Sequence, residues 1–415
     1  MVSSASSSNT LIRETNLAAV LRYLHKDAPL SRAQLSVLTG LNKSTISSLV
    51  DELIRLELIF EMGIDPSKNG RPATLLNLNP KAGWVIGIDM GVGFISIVLT
   101  NFVGEVVWRR SVEQPSFTNE EICLSTALQL TDEACDYART QEARLLGIGI
   151  SLPGMVDAEN GVLVFSPNLQ WRDVPIRQLF SRRTGLPVFA DNDANAAALG
   201  EHVFGVARRV QNFVFIMAAV GVGGGLFLNG DLYRGPGGLA GEIGHTSIYA
   251  DQARPCRCGN WGCWENYANQ TALIDRVRAR LEVGRSSIIS KILEEQNNQL
   301  TLDVITQAAE AGDTEALEAI RENGAALGLG IANLINIFNP EMVVIGGALS
   351  QAGRFLLPSV QEVVDKRAVR VMRKQTEIRL SAFGPDASMM GAAALVVLDV
   401  LSKPARSEEV QVAYL

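Results

Sequence analysis

Three thiols and one imidazole crowd into one stretch of this 415-residue sequence, at His245, Cys256, Cys258 and Cys263. The chain holds only five cysteines and three histidines, so the clustering is strong on composition alone. One imidazole and three thiolates fill the tetrahedral shell that zinc favours and leave no open position for a catalytic water. The expected cofactor is therefore a structural Zn2+. Gly259 and Gly262 let the backbone turn tightly enough for the sulfurs to face one ion. Two carboxylates flank the knot, Glu242 three residues before the histidine and Glu265 two after the last cysteine. A metal that fixed both segments would hold those carboxylates rigidly, as a ligand site requires.

A second polar group lies upstream in Asp191-Asn192-Asp193-Ala194-Asn195. It follows the short apolar run Val188-Phe189 and opens a helical stretch. Asp193 at such a helix start could accept a hydrogen bond or a proton from a sugar hydroxyl, although aspartate is also favoured there simply as an N-cap. Carboxylates are natural acceptors for vicinal hydroxyls, so Asp193, Glu242 and Glu265, with Asn192, could surround one polyol. Two glycine hairpins, Asp89-Met90-Gly91-Val92-Gly93 and Ala218 to Gly225, would allow a phosphate close to the backbone. A plain β-turn explains each hairpin equally well.

The elements that must position these residues begin with a helical region. Leu17, Val20, Leu21 and Leu24 recur at helix spacing, and Ser31 caps a second helix opening at Arg32. A turn at Leu38-Thr39-Gly40-Leu41 leads into a third, from Asn42 to about Glu57. That is a helix-turn-helix whose last helix opens on Asn42, Lys43, Ser44, Thr45 and Ser47, short polar or basic groups suited to phosphates and base edges. Strands at Leu58–Met62 and Thr74–Leu78 frame a wing with Arg71 at its tip, shaped for a minor groove. The alternative is a three-helix packing module with a solvated hairpin.

From Trp84 onward, strands and helices alternate. Strands are expected at Trp84–Asp89, Phe94–Thr100, Glu105–Arg109 and Leu145–Ile150, with a helix over roughly 118 to 140. The β-β-β-α-β order recurs after residue 211, at Phe213–Met217, Gly224–Leu228, Asp231–Tyr233, a helix over Gly324–Ile337, and Met342–Ile345. Two mixed-sheet halves facing a cleft follow. The expected division is 1–80, 81–200 and 201–402, with a loose tail at 403–415.

Bulk properties set limits. Apolar residues make up 47% and charged residues 20% of the chain, which suits a globular protein of two or three domains. No uninterrupted apolar run reaches the roughly 18 residues that span a bilayer. The polar N-terminus has no signal-peptide core, and the scarce cysteines suit a reducing compartment, so a cytoplasmic location is expected. The net charge of −7 argues against wholesale coating of nucleic acid. The first 80 residues are nearly neutral, however, with eight basic and seven acidic side chains. Local DNA binding remains compatible with that balance.

The stretch Gly241 to Glu265, together with Asn192-Asp193 and the N-terminal module, resembles the ROK family of repressors and kinases. The resemblance implies a winged helix-turn-helix followed by a two-lobed actin-like, hexokinase-like (ribonuclease H-like) body. It also implies zinc on His245, Cys256, Cys258 and Cys263, and sugar on Asn192, Asp193, Glu242, His245 and Glu265. In kinase members the counterpart of Asp193 is the general base. Those members carry Asp-x-Gly-Gly-Thr in the first phosphate loop, where this chain has Asp89-Met90-Gly91-Val92-Gly93. They also favour a threonine before the second set of glycines, where this chain has Ala218-Ala219. Phosphoryl transfer rests on positioning and electrostatics, so those losses are costly. The expectation is a non-catalytic repressor of carbohydrate-utilisation genes, close to the xylose-repressor branch. Its partners would be double-stranded operator DNA and a monosaccharide effector, in a homodimer or homotetramer without membrane contact. The alternatives are an ATP-dependent sugar kinase and a zinc-stapled scaffold for another protein.

Overall fold

Leu17, Leu21 and Leu24 are fully buried on one stripe of the first helix, which fixes how the N-terminal module packs. The computed structural model describes residues 3–64, 73–249, 253–295 and 299–405. Helix α1 (Ser3–Asp27) is followed by the two-residue strand β1 (Leu30–Ser31) and by α2 (Arg32–Thr39). Ser31 and Gln34 form a reciprocal capping box at the start of α2. Gly40 ends α2 at φ 72°, a left-handed conformation that favours glycine. Asn42 then caps α3 (Lys43–Arg55), its Oδ1 accepting from Thr45 N at 2.8 Å. The buried face of α3 is Ile46, Leu49, Val50 and Leu53. Strands β2 (Ile59–Ile64) and β3 (Thr74–Leu78) complete a small sheet in the order β1-β3-β2. The expected helix-turn-helix with its wing strands is present. The wing tip, including Arg71, lies outside the described residues.

The chain divides into two compact units, Met1–Asn192 with Ala392–Leu415, and Asp193–Gly391. In the first, β4 (Trp84–Gly91), β5 (Phe94–Asn101) and β6 (Val106–Glu113) form an antiparallel meander. Helix α4 (Glu120–Thr140) crosses to β7 (Leu145–Leu152), parallel to β4. A small sheet of β8 (Met155–Asp157), β9 (Val162–Ser166) and β10 (Trp171–Val174) intervenes before α5 (Ile176–Thr184). Strand β11 (Val188–Asn192) then joins β7 in parallel, giving the order β11-β7-β4-β5-β6. The core under this sheet includes Ile86, Ile88, Ile97, Ile148, Ile150 and Phe180, all fully buried.

The second unit repeats the plan. After α6 (Asp193–Val203) come β12 (Phe213–Ala218), β13 (Val222–Leu228) and β14 (Asp231–Leu232), again antiparallel. The crossover is long, through α7 (Glu265–Ala268), α8 (Gln270–Glu282), α9 (Ile289–Glu295), α10 (Leu302–Glu310) and α11 (Thr314–Phe338). Strand β15 (Met342–Gly346) pairs parallel to β12. Helices α12 (Gly353–Arg367) and α13 (Arg370–Arg373) precede β16 (Glu377–Leu380), parallel to β15. The order β14-β13-β12-β15-β16 reproduces the first sheet strand for strand. The expected recurrence of β-β-β-α-β holds in both halves.

The last helix, α14 (Ala387–Ser402), is the most apolar stretch of the chain's end. With its preceding turn, Gly384–Ser402 is long and apolar enough to cross a membrane, yet 67% of that window is buried inside the fold. Ala392, Ala393, Ala394, Val396 and Val397 are the residues that take it inside. It is a core helix, and no other described helix meets that length and composition.

Candidate metal centre and ligand site

The ligand-bearing segment starts where β13 ends its glycine run. A Cβ on Gly224 would sit 2.6 Å from Ile243 Cδ1 and 3.0 Å from Gly241 O. Only glycine therefore lets the Gly241–His245 strip lie against that strand. A Cβ on Gly225 would approach Ala198 Cβ at 2.5 Å, so the same strand also receives α6 closely. Consecutive glycines thus seat both Glu242-His245 and the helix that opens on Asp193.

His245 ends one 3-10 turn, Ile243–His245. Its Nδ1 lies 3.7 Å from Cys256 Sγ, and Cys258 Sγ lies 3.7 Å from Cys263 Sγ. Thiolates about 2.3 Å from a tetrahedral ion would be about 3.8 Å apart, and a nitrogen–sulfur edge is slightly shorter. Both spacings fit a shared ion and exceed a disulfide bond. All four ligand atoms lie within 4.8 Å of one another, so His245, Cys256, Cys258 and Cys263 form a group able to hold a metal.

The backbone of the knot is short and self-bonded. Cys256 N donates to Asn260 O at 2.8 Å, and Gly259 N donates back to Cys256 O at 3.0 Å. At Gly262 φ is 73°, and a Cβ would meet Tyr249 O at 2.0 Å. The thiols differ in their surroundings. Burial pushes Cys256 up to about 12 and also raises Cys263, whereas the Asn260 N–H lowers Cys258. A bound cation favours the thiolate at each of them.

The two flanking carboxylates both reach the histidine. Glu242 Oε2 lies 3.7 Å from His245 Nε2, and Glu265 Oε1 lies 3.4 Å from Nδ1. Glu265 Oε1 also accepts from Cys256 Sγ at 3.1 Å. Nδ1 is turned to the thiols and Nε2 to the Glu242 side, at a distance too long for a hydrogen bond. Asp193 is the first residue of α6, and its Oδ1 accepts from Ala194 N at 2.8 Å. Asn192 ends β11 and donates through Nδ2 to Gly154 O at 3.0 Å.

Of the glycine hairpins, the first is a two-residue turn at Val92-Gly93 between Gly91 and Phe94. The Phe94 ring lies against Gly91, so close that a Cβ there would be 2.2 Å from it. In the second, Ala219 N donates to Gly221 O at 3.0 Å, and Ala219 O accepts from Gln270 N at 2.8 Å. Asn269 Nδ2 donates to Val220 O at 2.7 Å.

In the N-terminal module Lys43 and Ser44 are exposed at the head of α3, beside half-buried Thr45 and Ser47. The Asn42 cap also accepts from Ser44 Oγ at 2.7 Å. Arg276 and Asn323, which donate to the carbonyls of Tyr267 and Ala268 behind Glu265, carry no periodic or spacing signal in the sequence.

Residues 85–398 match the ROK family. The chain belongs to the ROK family. It is 37% identical over 398 residues to the xylose repressor of Caldicellulosiruptor bescii, covering 95% of this chain and 98% of that protein. A crystal structure of a ROK family transcriptional regulator, a homologue of the E. coli Mlc protein, superposes with a TM-score of 0.81 at 31% identity, covering 96% of this chain and 99% of that one. A Streptomyces griseus ROK glucokinase solved with glucose and AMPPNP gives a TM-score of 0.67 at 28% identity and covers 75% of this chain. With these likenesses the fold is the expected winged helix-turn-helix ahead of an actin-like ROK body.

Proposed function

We propose that this chain is a sugar-responsive transcriptional repressor that binds operator DNA and takes a monosaccharide, xylose foremost, as its effector. The observation that carries this is the extent of the likeness. The xylose repressor and the solved regulator align with the winged module as well as the body, whereas the glucokinase covers 75% of the chain. In this reading Asn192, Asp193, Glu242, His245 and Glu265 contact the sugar. Asn42, Lys43, Ser44, Thr45, Ser47 and Arg71 contact DNA. A structural Zn2+ sits on His245, Cys256, Cys258 and Cys263, and supplies no reaction step, because four protein ligands close its shell.

The two hairpins argue against phosphoryl transfer. A phosphate cradle needs unobstructed backbone N–H groups. Here the Ala219 N–H is bonded within its own loop, and the first loop has Val92-Gly93 where the kinases carry Gly-Thr. In this reading the chain keeps the sugar-contacting residues and lacks the phosphate-loop residues of the kinases, which suits sensing rather than turnover.

Sugar lowers operator affinity by binding the DNA-incompetent state more tightly than the competent one, since a ligand shifts an equilibrium only through such a difference. A homodimer would place half-sites about 34–36 Å apart, or a multiple of it. The test is a thermal-shift panel of monosaccharides run with and without ATP. Stabilisation by xylose or a close relative, with no dependence on ATP, supports the reading. ATP-dependent appearance of a sugar phosphate would replace it with the kinase alternative.

A further inference from the structure

Glu265 opens α7, a helix of four residues, and so short a helix cannot hold itself in water. Its N-terminal side is tied to the knot through Cys263. Its C-terminal side is held by something else. Arg276 on α8 donates from Nη2 to Tyr267 O at 2.7 Å, and Asn323 on α11 donates from Nδ2 to Ala268 O at 3.2 Å. The two are joined to each other, Arg276 Nη1 donating to Asn323 Oδ1. The last two carbonyls of α7 are thereby satisfied by side chains from elsewhere in the fold, and Arg254 Nη1 donates to the one before them, Asn266 O, at 3.2 Å.

This arrangement carries a cost in desolvation. Asn323 is fully buried, and the Arg276 side chain is only 16% exposed. Its nearest carboxylate, Glu322 Oε2, is 3.8 Å from Nε. Placing a guanidinium there is unfavourable unless its donors are used. A third tie runs through the residue next to Glu265. Trp264 is 1% exposed, and its Nε1 donates to Ala326 O on α11 at 2.9 Å. Its indole fills a notch that a Cβ on Gly330 would close, at 2.1 Å.

We propose that Arg276 and Asn323 are positioning residues for the Glu265 carboxylate, holding α7 in register from elements outside the metal knot. The proposal rests on Glu265 being a sugar contact. Two fixations on one short segment leave that carboxylate little freedom, and binding costs less when the acceptor is already in place.

The test uses the full chain loaded with zinc. Asn323→Asp keeps an acceptor for Arg276, now as a charged partner, and replaces the donor to Ala268 O with an oxygen that cannot donate. Arg276→Lys keeps the charge and gives up the fork that spans Asn323 and Tyr267, so it serves if the first variant folds poorly. Calorimetry with xylose should show affinity weakened about tenfold in either variant, the scale of one hydrogen bond. Bound zinc per chain and sugar-free operator affinity should stay within about twofold of the parent. In a Glu265→Gln background, adding Asn323→Asp should change sugar affinity no further, because the positioned carboxylate is gone. Unchanged xylose affinity, or zinc content and operator binding falling in step with it, overturns the proposal. If the parent protein binds xylose and the variants bind it equally well, the sugar reading stands and only the positioning falls. If the parent binds no monosaccharide at all, both fall together.

Discussion

Replacing Cys258 with serine should remove both the metal and the response to sugar. From Ala253 to Trp261 no residue is buried, and the Trp261 ring is 60% exposed, so this loop has no apolar core of its own. A bound ion would add to its few backbone hydrogen bonds, since metal binding in small zinc modules contributes on the order of 10–16 kcal/mol near neutral pH. Losing a neighbour one shell out from a metal costs about 10–100-fold in affinity, so losing a direct ligand should exceed 100-fold. The consequence for sugar follows from Glu265, which lies 3.4 Å from His245 Nδ1 and two residues from Cys263. At a sugar concentration about 100 times Kd, binding stabilises the parent by roughly 2.7 kcal/mol. The unit that holds these residues, Asp193–Gly391, is of a size for which 1 kcal/mol moves Tm by about 2–4 °C. The parent should therefore gain roughly 5–10 °C with sugar, whereas the variant should gain almost nothing and carry no zinc by elemental analysis. A metal-free Cys258→Ser protein with the full sugar shift would refute the link between knot and pocket.

Three further outcomes follow. Asp193→Asn keeps the oxygen that accepts from Ala194 N but loses a charged acceptor, so sugar affinity by calorimetry should fall about 10–100-fold with Tm unchanged; equal affinity would exclude Asp193 as a contact. Lys43→Ala should weaken binding to operator and random DNA alike and reduce the salt slope of binding by about 1, and an unaltered slope would remove Lys43 from the interface. Glu201 is fully buried, accepts from Ser381 Oγ, Val206 N and Ala382 N, and is raised above its ordinary 4.5 by that burial. Its folded form holds the proton more tightly, so its contribution to stability is whole below pH 4.5 and is lost as pH rises through the folded value. Glu201→Gln should flatten the fall in Tm from pH 4.5 towards neutrality, a prediction that parallel Tm profiles for parent and variant would contradict.

Much of this was legible in the sequence because the relevant signals are local. Ser31 before Arg32 is a capping pattern a few residues long, and that cap forms where the spacing places it. Thr74–Leu78 is found at the expected bounds, and Asp193 does open a helix. The cysteine spacing was enough to bring together four ligands. The small β8-β9-β10 sheet was not legible, since Met155–Asp157 and Trp171–Val174 are too short to show a period. Helix α14 shows no long uninterrupted apolar run, because Asp399 breaks it and Asp386 precedes it, although packing buries most of it. Arg276 and Asn323 were hidden for another reason. Their role depends on carbonyls 9 and 55 residues away, and no sequence window contains that relation.

The central claim is that a monosaccharide controls DNA binding by this chain without being chemically changed. The most direct measurement is fluorescence anisotropy of a labelled palindromic operator, titrated with zinc-loaded protein and then with xylose, with the sugar recovered afterwards and assayed for phosphate in the presence of ATP. The account predicts tight operator binding, release by xylose in a saturable manner, and recovery of the sugar unmodified. Operator binding indifferent to every monosaccharide, or a sugar recovered as its phosphate, would contradict it.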